Sequence, residues 1–154
     1  MALKNEKLVS IIMNCYNSER YLEEAIDSIY AQTYQNWEII FWDNASTDNS
    51  ANIARTYDCR LCYFRGSETI PLYAARNKAL AHCKGDFIAF LDCDDIWLPE
   101  KLEKQLPLFD NPAVGLVYSD SIFFRDNGFE KRFLKGRKVL RGSVFLELVQ
   151  NYVI

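Results

Sequence analysis

Three carboxylates follow an apolar run near the middle of the chain. Asp92, Asp94 and Asp95 come directly after the strand-like segment 87–91. Because like charges repel one another and resist burial, these side chains require either solvent or a cation. Their hard oxygen donors suit Mg²⁺ or Mn²⁺ carrying a phosphate-bearing substrate. The alternative is an acidic turn in which Asp94 or Asp95 caps a helix that begins near Pro99.

Polar residues follow two earlier apolar runs in the same way. Asn14 and Tyr16 come after the run 8–13, and Asp43 and Asn44 come after the run 37–42. The Tyr16 ring could stack on a nucleobase, and Asp43 or Asn44 could form hydrogen bonds to a base or a ribose. The structural alternatives are a packing role for Tyr16 and an Asx turn at Asp43.

Arg76 is the candidate phosphate ligand, since a guanidinium can offset phosphate charge. The alternative is an ion pair with a surface carboxylate. The sequence contains neither G-x-x-x-x-G-K nor a G-x-G-x-x-G after its first strand. This argues against ordinary ATPases and dinucleotide-binding enzymes.

The elements that position these residues alternate between strand and helix. The strands are continuously apolar, which predicts a parallel sheet with helices on both faces. Because ligands bind beyond the carboxyl ends of parallel strands, the three polar clusters should converge on one edge. The predicted elements are strand 8–13, a helix capped by Ser18 that ends near 32–33, strand 37–42, helix 48–57, strand 61–64, helix 72–83 with Gly85 as its C-cap, strand 87–91 and helix 99–109.

The pattern changes after Pro112. Short strands are predicted at 114–118 and 122–125, with a hairpin return at 129–134 and a last helix from 143. Six basic side chains in this part predict either a solvated hairpin and loop or a contact with phosphate or anionic lipid head groups. They are Lys131, Arg132, Lys135, Arg137, Lys138 and Arg141.

Composition limits the classes of protein that this chain can represent. Its 154 residues, 49% hydrophobic and 25% charged, fit one domain with a sizeable core, and a net charge of −3 argues against a nucleic-acid partner. No transmembrane run or signal-peptide core is present, so we expect a cytoplasmic protein, with peripheral contact at the inner face of the membrane. The five cysteines predict free thiols, since Cys59 and Cys62 form a lone C-x-x-C.

An ordered set of motifs resembles family 2 glycosyltransferases. Each motif alone is weak, but their order along residues 8–154 is specific. The motifs are 9–17 (VSIIMNCYN), 31–34 (AQTY), 43–50 (DNASTDNS), 75–77 (ARN) and 85–95 (GDFIAFLDCDD).

The resemblance implies a Rossmann-like GT-A fold over residues 1–154 that binds a nucleotide-diphosphate sugar, with a UDP-sugar as the leading candidate. It implies that the loop 14–17 and the pair Asp43 and Asn44 hold the base. In the D-x-D signature, Asp94 would bind Mn²⁺ or Mg²⁺, and Asp92 the ribose or the waters of the metal. The implied reaction inverts the anomeric carbon, and its acceptor is a saccharide or a glycolipid.

The chain departs from the family at two points. The family commonly has a second Asp where this chain has Asn44, although an amide can still donate and accept. The family's catalytic base lies beyond the segment that resembles 142–154, and neither Asp120 nor Glu147 matches its motif. We therefore expect a chain whose acceptor and base portion is largely absent. The alternatives are a non-catalytic nucleotide-sugar-binding module and a nucleotidyltransferase-like enzyme, which would need a glycine-rich first loop.

Overall fold

The computed structural model describes residues 7–124, 128, 130–135 and 142. The chain divides into two compact units, Met1–Pro112 and Ala113–Ile154. Among the described residues, no helix combines the length and apolar composition needed to cross a membrane. The expectation that residues 1–154 form a single nucleotide-sugar-binding domain stays a prediction.

The first unit is built from four parallel strands that alternate with helices, in the sheet order β3-β2-β1-β4. This confirms the predicted α/β class with a parallel sheet. The elements are β1 Val9–Cys15, α1 Leu22–Tyr30, β2 Trp37–Asp43, α2 Ser50–Ala54, β3 Leu61–Arg65, α3 Leu72–Leu80, β4 Phe87–Phe90, α4 Lys101–Gln105 and the 3₁₀ helix Leu106–Asp110.

The sheet is covered on both faces, which explains why its two central strands, β1 and β2, are mainly apolar. Along β1, Ile11 and Met13 pack with α1, α2 and α4, whereas Ile12 packs with α3 on the opposite face. Ala75 and Ala79 of α3 are fully buried there, since alanine lets a helix approach a sheet closely.

The start of α1 differs from the prediction. Its N-cap is Tyr21, without a capping side chain, so the predicted cap at Ser18 is wrong. The Ser18 carbonyl instead accepts hydrogen bonds from the amides of Tyr21 and Leu22. The apolar stripe itself was predicted correctly, because Leu22 and Ile26 are fully buried.

Gly85 does not cap α3, which ends at Leu80 with Ala81 as its C-cap. A Cβ atom at Gly85 would lie 2.5 Å from the amide nitrogen of Ser10 and 2.7 Å from the carbonyl oxygen of Leu8. The Gly85 amide also donates to the Ser10 hydroxyl at 2.8 Å. Glycine is therefore required here because the chain passes directly against β1.

The predicted helix 99–109 is split in two. Helix α4 ends at Gln105, and a 3₁₀ helix with Pro107 in its first turn follows. Proline has no amide hydrogen and cannot continue the α-helical ladder.

In the second unit, β5 Ile122–Phe124 pairs antiparallel with β6 Glu130–Arg132, as the predicted hairpin requires. The segment 114–118 forms no strand, and the predicted helix from 143 lies outside the described residues. Lys131, Arg132 and Lys135 are exposed, whereas Arg137, Lys138 and Arg141 also lie outside the described residues.

Candidate functional site

The order of strands in the sheet changes direction at β1. Strands β2 and β3 follow on one side of β1, and β4 lies on its other side. In open α/β sheets this switch point, at the carboxyl ends of the strands, is where ligands bind. Asn14 near the end of β1 and Asp92 after β4 flank it, so the predicted convergence is confirmed for these strand ends.

A cavity of about 260 Å³ lies at this edge. Its wall contains three of the residues predicted to bind a nucleotide, namely Asn14, Tyr16 and Asn44. The other lining residues come from the end of β1, from the loop before α3 and from α3 itself: Cys15, Thr69, Ile70, Leu72 and Ala75. The wall is mainly apolar, with a few polar groups placed to orient a ligand, as in small-molecule sites generally.

Asn14 provides an unused donor in this wall. Its side-chain nitrogen is buried and has no hydrogen-bond partner among the described residues. Leaving a buried donor without a partner is unfavourable, so the position favours a ligand that carries an acceptor. Tyr16 is 52% exposed, which leaves its ring accessible for stacking instead of packing it in the core.

Asn44 lines the cavity, but its polar atoms are engaged by the protein. Its Nδ2 donates to the Ile70 carbonyl at 2.8 Å, and its Oδ1 accepts from the Ile70 amide at 3.1 Å. A carboxylate could accept but could not donate in this pair. Asparagine at this position therefore fastens the loop before α3 to the end of β2.

Asp43 is fully buried and does not line the cavity. Its carboxylate accepts from the Ser46 amide at 2.7 Å, from the Tyr63 hydroxyl at 2.6 Å and from Arg65 at 2.7 Å. Burial and the hydrogen bond to Asp43 raise the pKa of Tyr63. Because its oxygens are occupied in this way, a direct contact between Asp43 and a base stays a prediction.

The three predicted carboxylates lie in a turn. The Asp95 amide donates to the Asp92 carbonyl at 3.1 Å, and buried Cys93 donates its thiol hydrogen to the Asn14 carbonyl at 3.3 Å. With Cys93 turned inward, Asp92 and Asp94 are exposed at the surface. Asp95 supports the turn and does not cap α4, whose N-cap is Glu100.

The negative charges of this turn act on one another. Burial, together with the charges of Asp94 and Asp92, raises the pKa of Asp95. Arg76 donates to Asp92 at 3.1 Å from α3 and lies over the Phe90 ring at 5.6 Å. Arg76 and Asp92, two predicted site residues, are thus in contact. Their ion pair is the alternative to phosphate binding that the sequence left open for Arg76.

Cys15, in the cavity wall, and Cys93, in the carboxylate turn, are both buried free thiols. Interaction with the Cys93 side chain lowers the pKa of Cys15 and outweighs the opposite effect of burial. Cys15 in turn raises the pKa of Cys93, and burial and the charges of Asp92 and Asp94 act in the same direction. A negative charge on this pair would therefore reside on Cys15.

The donor set is compatible with a Mg²⁺ or Mn²⁺ ion that arrives with its substrate. Among the described residues, no group of three or more His, Cys, Asp or Glu side chains is arranged to hold a metal. Mg²⁺ in phosphate-binding enzymes is commonly held by one or two carboxylates together with substrate phosphates. The exposed carboxylates of Asp92 and Asp94 fit this arrangement.

Gln32 supports the site but was not predicted from the sequence as a functional residue. Its fully buried amide donates to the Leu98 carbonyl at 2.8 Å and accepts from the Leu102 amide at 3.1 Å. The Ser28 hydroxyl accepts from the Trp97 amide at 3.1 Å. The end of α1 therefore holds the chain that leaves the carboxylate turn, and Trp97 packs against the core.

This topology, with a cavity and a carboxylate turn at the switch point, is that of a Rossmann-like fold of the GT-A class. Residues 10–151 match the family described as Glycosyl transferase family 2. The chain belongs to that family.

Relatives and solved structures agree with this assignment. The chain is 35% identical over 136 residues to the Escherichia coli UDP-Glc:alpha-D-GlcNAc-diphosphoundecaprenol beta-1,3-glucosyltransferase WfgD, covering 88% of this chain and 54% of the relative. S. aureus TarS 1–349 in complex with UDP-GlcNAc superposes with a TM-score of 0.62 at 29% identity, covering 68% of this chain and 31% of that one.

The mannosyltransferase PcManGT from Pyrobaculum calidifontis, in complex with GDP-Man and Mn²⁺, gives a TM-score of 0.68 at 28% identity, with 73% of this chain and 35% of that chain covered. The chain thus spans about half of WfgD and a smaller share of the two solved structures.

Proposed function

We propose that this chain is the donor-binding part of a metal-dependent, inverting glycosyltransferase. In this proposal it binds a nucleotide-diphosphate sugar, with a UDP-sugar as the leading candidate, for transfer to a saccharide or lipid-linked acceptor. The observation that carries the proposal is the buried Asn14 side-chain nitrogen, which has no hydrogen-bond partner in the described part of the chain and lies in the wall of a cavity beside the carboxylate turn. A nucleobase carbonyl would satisfy this donor.

The cavity supports a nucleoside at its apolar wall. Ile70 and Leu72 provide nonpolar surface, and the exposed ring of Tyr16 provides a stacking face. Asn14 and Tyr16 would make the direct contacts. Asn44 would shape the wall through its hydrogen bond to Ile70. Asp43 would support the wall indirectly through Arg65, or would contact the base directly if ligand binding releases its carboxylate.

The carboxylate turn supports the diphosphate end of the donor. Asp94 would hold the cation directly, and Asp92 would contact the ribose or the waters of the cation. When bound, Mn²⁺ or Mg²⁺ supplies positive charge that offsets the charge of the diphosphate leaving group. Arg76 lies 3.1 Å from Asp92, so its guanidinium can exchange the carboxylate for a phosphate when the donor arrives.

The acceptor side of the proposal rests on the relatives. The name of WfgD specifies a diphosphoundecaprenol-linked acceptor, and this supports a lipid-linked or saccharide acceptor for this chain. Exposed Lys131, Arg132 and Lys135 support peripheral contact with the anionic inner face of a membrane. Salt-sensitive binding to anionic vesicles, with weaker binding to neutral ones, is the expected result.

Calorimetric titration with UDP and with GDP, with and without Mn²⁺, tests the donor site. We expect Mn²⁺-dependent binding of a nucleoside diphosphate, and Asp94→Asn should weaken it by about tenfold or more, or about 1.4 kcal/mol. Asp110→Asn is the matched control because Asp110 is an exposed carboxylate outside the site. Failure to bind either nucleotide at millimolar concentration would refute the proposal.

Transfer is measured separately by release of UDP from a UDP-sugar in the presence of a lipid-linked acceptor. Release that depends on the acceptor supports a complete glycosyltransferase. Nucleotide binding without any release under the same conditions is expected both of a donor-binding part alone and of the non-catalytic nucleotide-sugar-binding module.

A further inference from the structure

The loops that follow β1 and β2 are joined by a set of hydrogen bonds centred on Asn17. The Asn17 Oδ1 accepts from the Thr47 amide at 2.8 Å, with longer contacts of 3.4 Å from the Thr47 hydroxyl and the Asp48 amide. In the other direction, the Asn17 amide donates to the Ser46 hydroxyl at 3.1 Å. We call Asn17, Ser46, Thr47 and Asp48 the loop clasp.

The backbone at Asn17 is in the left-handed region, with φ of 52°. Asparagine, aspartate and glycine tolerate this conformation better than other residues do. Only the first two also carry a short side chain with an acceptor oxygen. The position therefore combines a backbone requirement with a side-chain requirement, and asparagine meets both.

The clasp lies between two walls of the cavity. Tyr16 directly precedes Asn17, and Asn44 lies two residues before Ser46. The backbone amide of Asn44 also donates to the Cys15 carbonyl at 2.8 Å. The two loops are therefore joined on both sides of Tyr16. Any change in the separation of these loops must move Tyr16 relative to Asn44.

We propose that Asn17 is a positioning residue for the nucleotide cavity. It acts without touching the ligand, by fixing the loop that carries Tyr16 against the loop that carries Asn44. The inference rests on the proposed function, since it assumes that this cavity binds a nucleoside diphosphate. It assigns to Asn17 a role in binding affinity that its exposed position alone would not predict.

Three variants of the full chain separate the backbone requirement from the side-chain requirement. Asn17→Gly keeps the left-handed backbone and removes the acceptor. Asn17→Asp keeps both. Ser46→Ala removes the hydroxyl that accepts from the Asn17 amide and leaves Asn17 itself unchanged, so it supplies a second reading if Asn17→Gly folds poorly.

We expect Asn17→Gly to weaken UDP affinity by about tenfold, the equivalent of one lost hydrogen bond at the cavity. Asn17→Asp should stay within about threefold of the unmodified chain. Amide hydrogen exchange at Thr47 should become faster in Asn17→Gly, because its acceptor is gone, and should be slow again in Asn17→Asp.

The exchange measurement needs no ligand, so it distinguishes failure of the clasp from failure of the proposed function. If the unmodified chain binds no nucleotide, the proposed function and the role of Asn17 in binding both fail, whatever the exchange data show. If Thr47 exchange accelerates but UDP affinity is unchanged, Asn17 is merely structural and the proposal is overturned. Unchanged exchange and affinity in both Asn17→Gly and Ser46→Ala would overturn it as well.

Discussion

At the scale of single residues, the partner decides what a polar side chain does. Asp43 and Asn44 are neighbours that were both predicted to contact a nucleotide. Asp43 binds Tyr63 and Arg65 from β3, whereas Asn44 forms a reciprocal pair with the Ile70 backbone. Their side chains therefore differ in how they can serve a ligand.

The pair between Asn44 and Ile70 makes a direct prediction. Asn44→Asp removes the donor to the Ile70 carbonyl and places a carboxylate oxygen opposite a carbonyl oxygen. We expect a loss of about 1–3 kcal/mol in the free energy of unfolding, measured in urea. Asn52→Asp is the control: Asn52 makes an exposed contact with Asn49, and its replacement should change stability by less than about 0.5 kcal/mol. Equal effects of the two substitutions would contradict the role given to the pair.

Residue types and their place after strands were enough to predict that Asn14, Tyr16, Asn44 and Asp92 lie at one edge of a sheet. The sequence could not show that Tyr63 and Arg65 occupy the Asp43 carboxylate, because that depends on the register of β3 against β2. Nor could it show that the Asn14 side-chain nitrogen has no partner among the described residues, because an absent partner has no sequence pattern.

At the scale of elements, the strands were predicted more accurately than the ends of the helices. Continuous apolar runs define buried strands directly, and β1 to β4 lie where those runs occur. Helix ends depend on contacts that are distant in sequence. Gly85 is an example. It was predicted as a helix cap and instead lies against the backbone of Ser10 in β1 and of Leu8 just before β1.

Gly85→Ala should be strongly destabilising. Its Cβ atom would lie within 2.7 Å of backbone atoms of Ser10 and Leu8, so the chain must move away from β1. We expect a loss of about 2–3 kcal/mol in the free energy of unfolding, typical of overpacking against rigid surroundings. Gly115→Ala is the matched control, because no atom lies within 4 Å of its added Cβ. A loss of similar size in both variants would argue against the close approach at Gly85.

The Asp48 carboxylate, which accepts from the Glu19 and Ser50 amides beside the loop clasp, should make the chain sensitive to acid. Burial raises the pKa of Asp48, but hydrogen bonds from Ser50 and from the Glu19 amide outweigh that effect and leave the pKa lowered. A lowered pKa in the folded chain contributes stability above the unfolded pKa of about 3.9. That contribution is lost as the pH falls below about 4.

The measurement is the urea midpoint between pH 6 and pH 3 for the unmodified chain and for Asp48→Asn. Their difference should be largest near pH 6 and should shrink on acidification. A difference that is constant across this range would show that Asp48 titrates alike in the folded and unfolded chains.

At the scale of the whole molecule, the core and the proposed site belong to the same unit. Among the described residues, the buried apolar side chains lie between Val9 and Leu102. The proposed donor-binding residues lie between Asn14 and Asp94, within the first compact unit, Met1–Pro112. That unit therefore contains both the buried core of the described residues and the residues proposed to bind the nucleotide.

We expect a fragment of residues 1–112 to unfold cooperatively in urea and to bind UDP with Mn²⁺ within about threefold of the full chain's affinity.

The matched control is a fragment of residues 1–97. This fragment lacks Leu102, whose side chain is 3% exposed in the core. It also lacks the Leu98 carbonyl and the Leu102 amide, which are hydrogen-bond partners of the Gln32 side chain. Loss of a buried leucine costs about 2–5 kcal/mol, and within the described part of the chain the buried Gln32 amide keeps only its bond to the Ser28 carbonyl, so this fragment should unfold at much lower urea and bind weakly. If the 1–112 fragment fails to fold while the full chain folds, the division into units does not describe where stability resides. If both fragments bind UDP equally well, the attachment of the carboxylate turn through Gln32 is unimportant for the site.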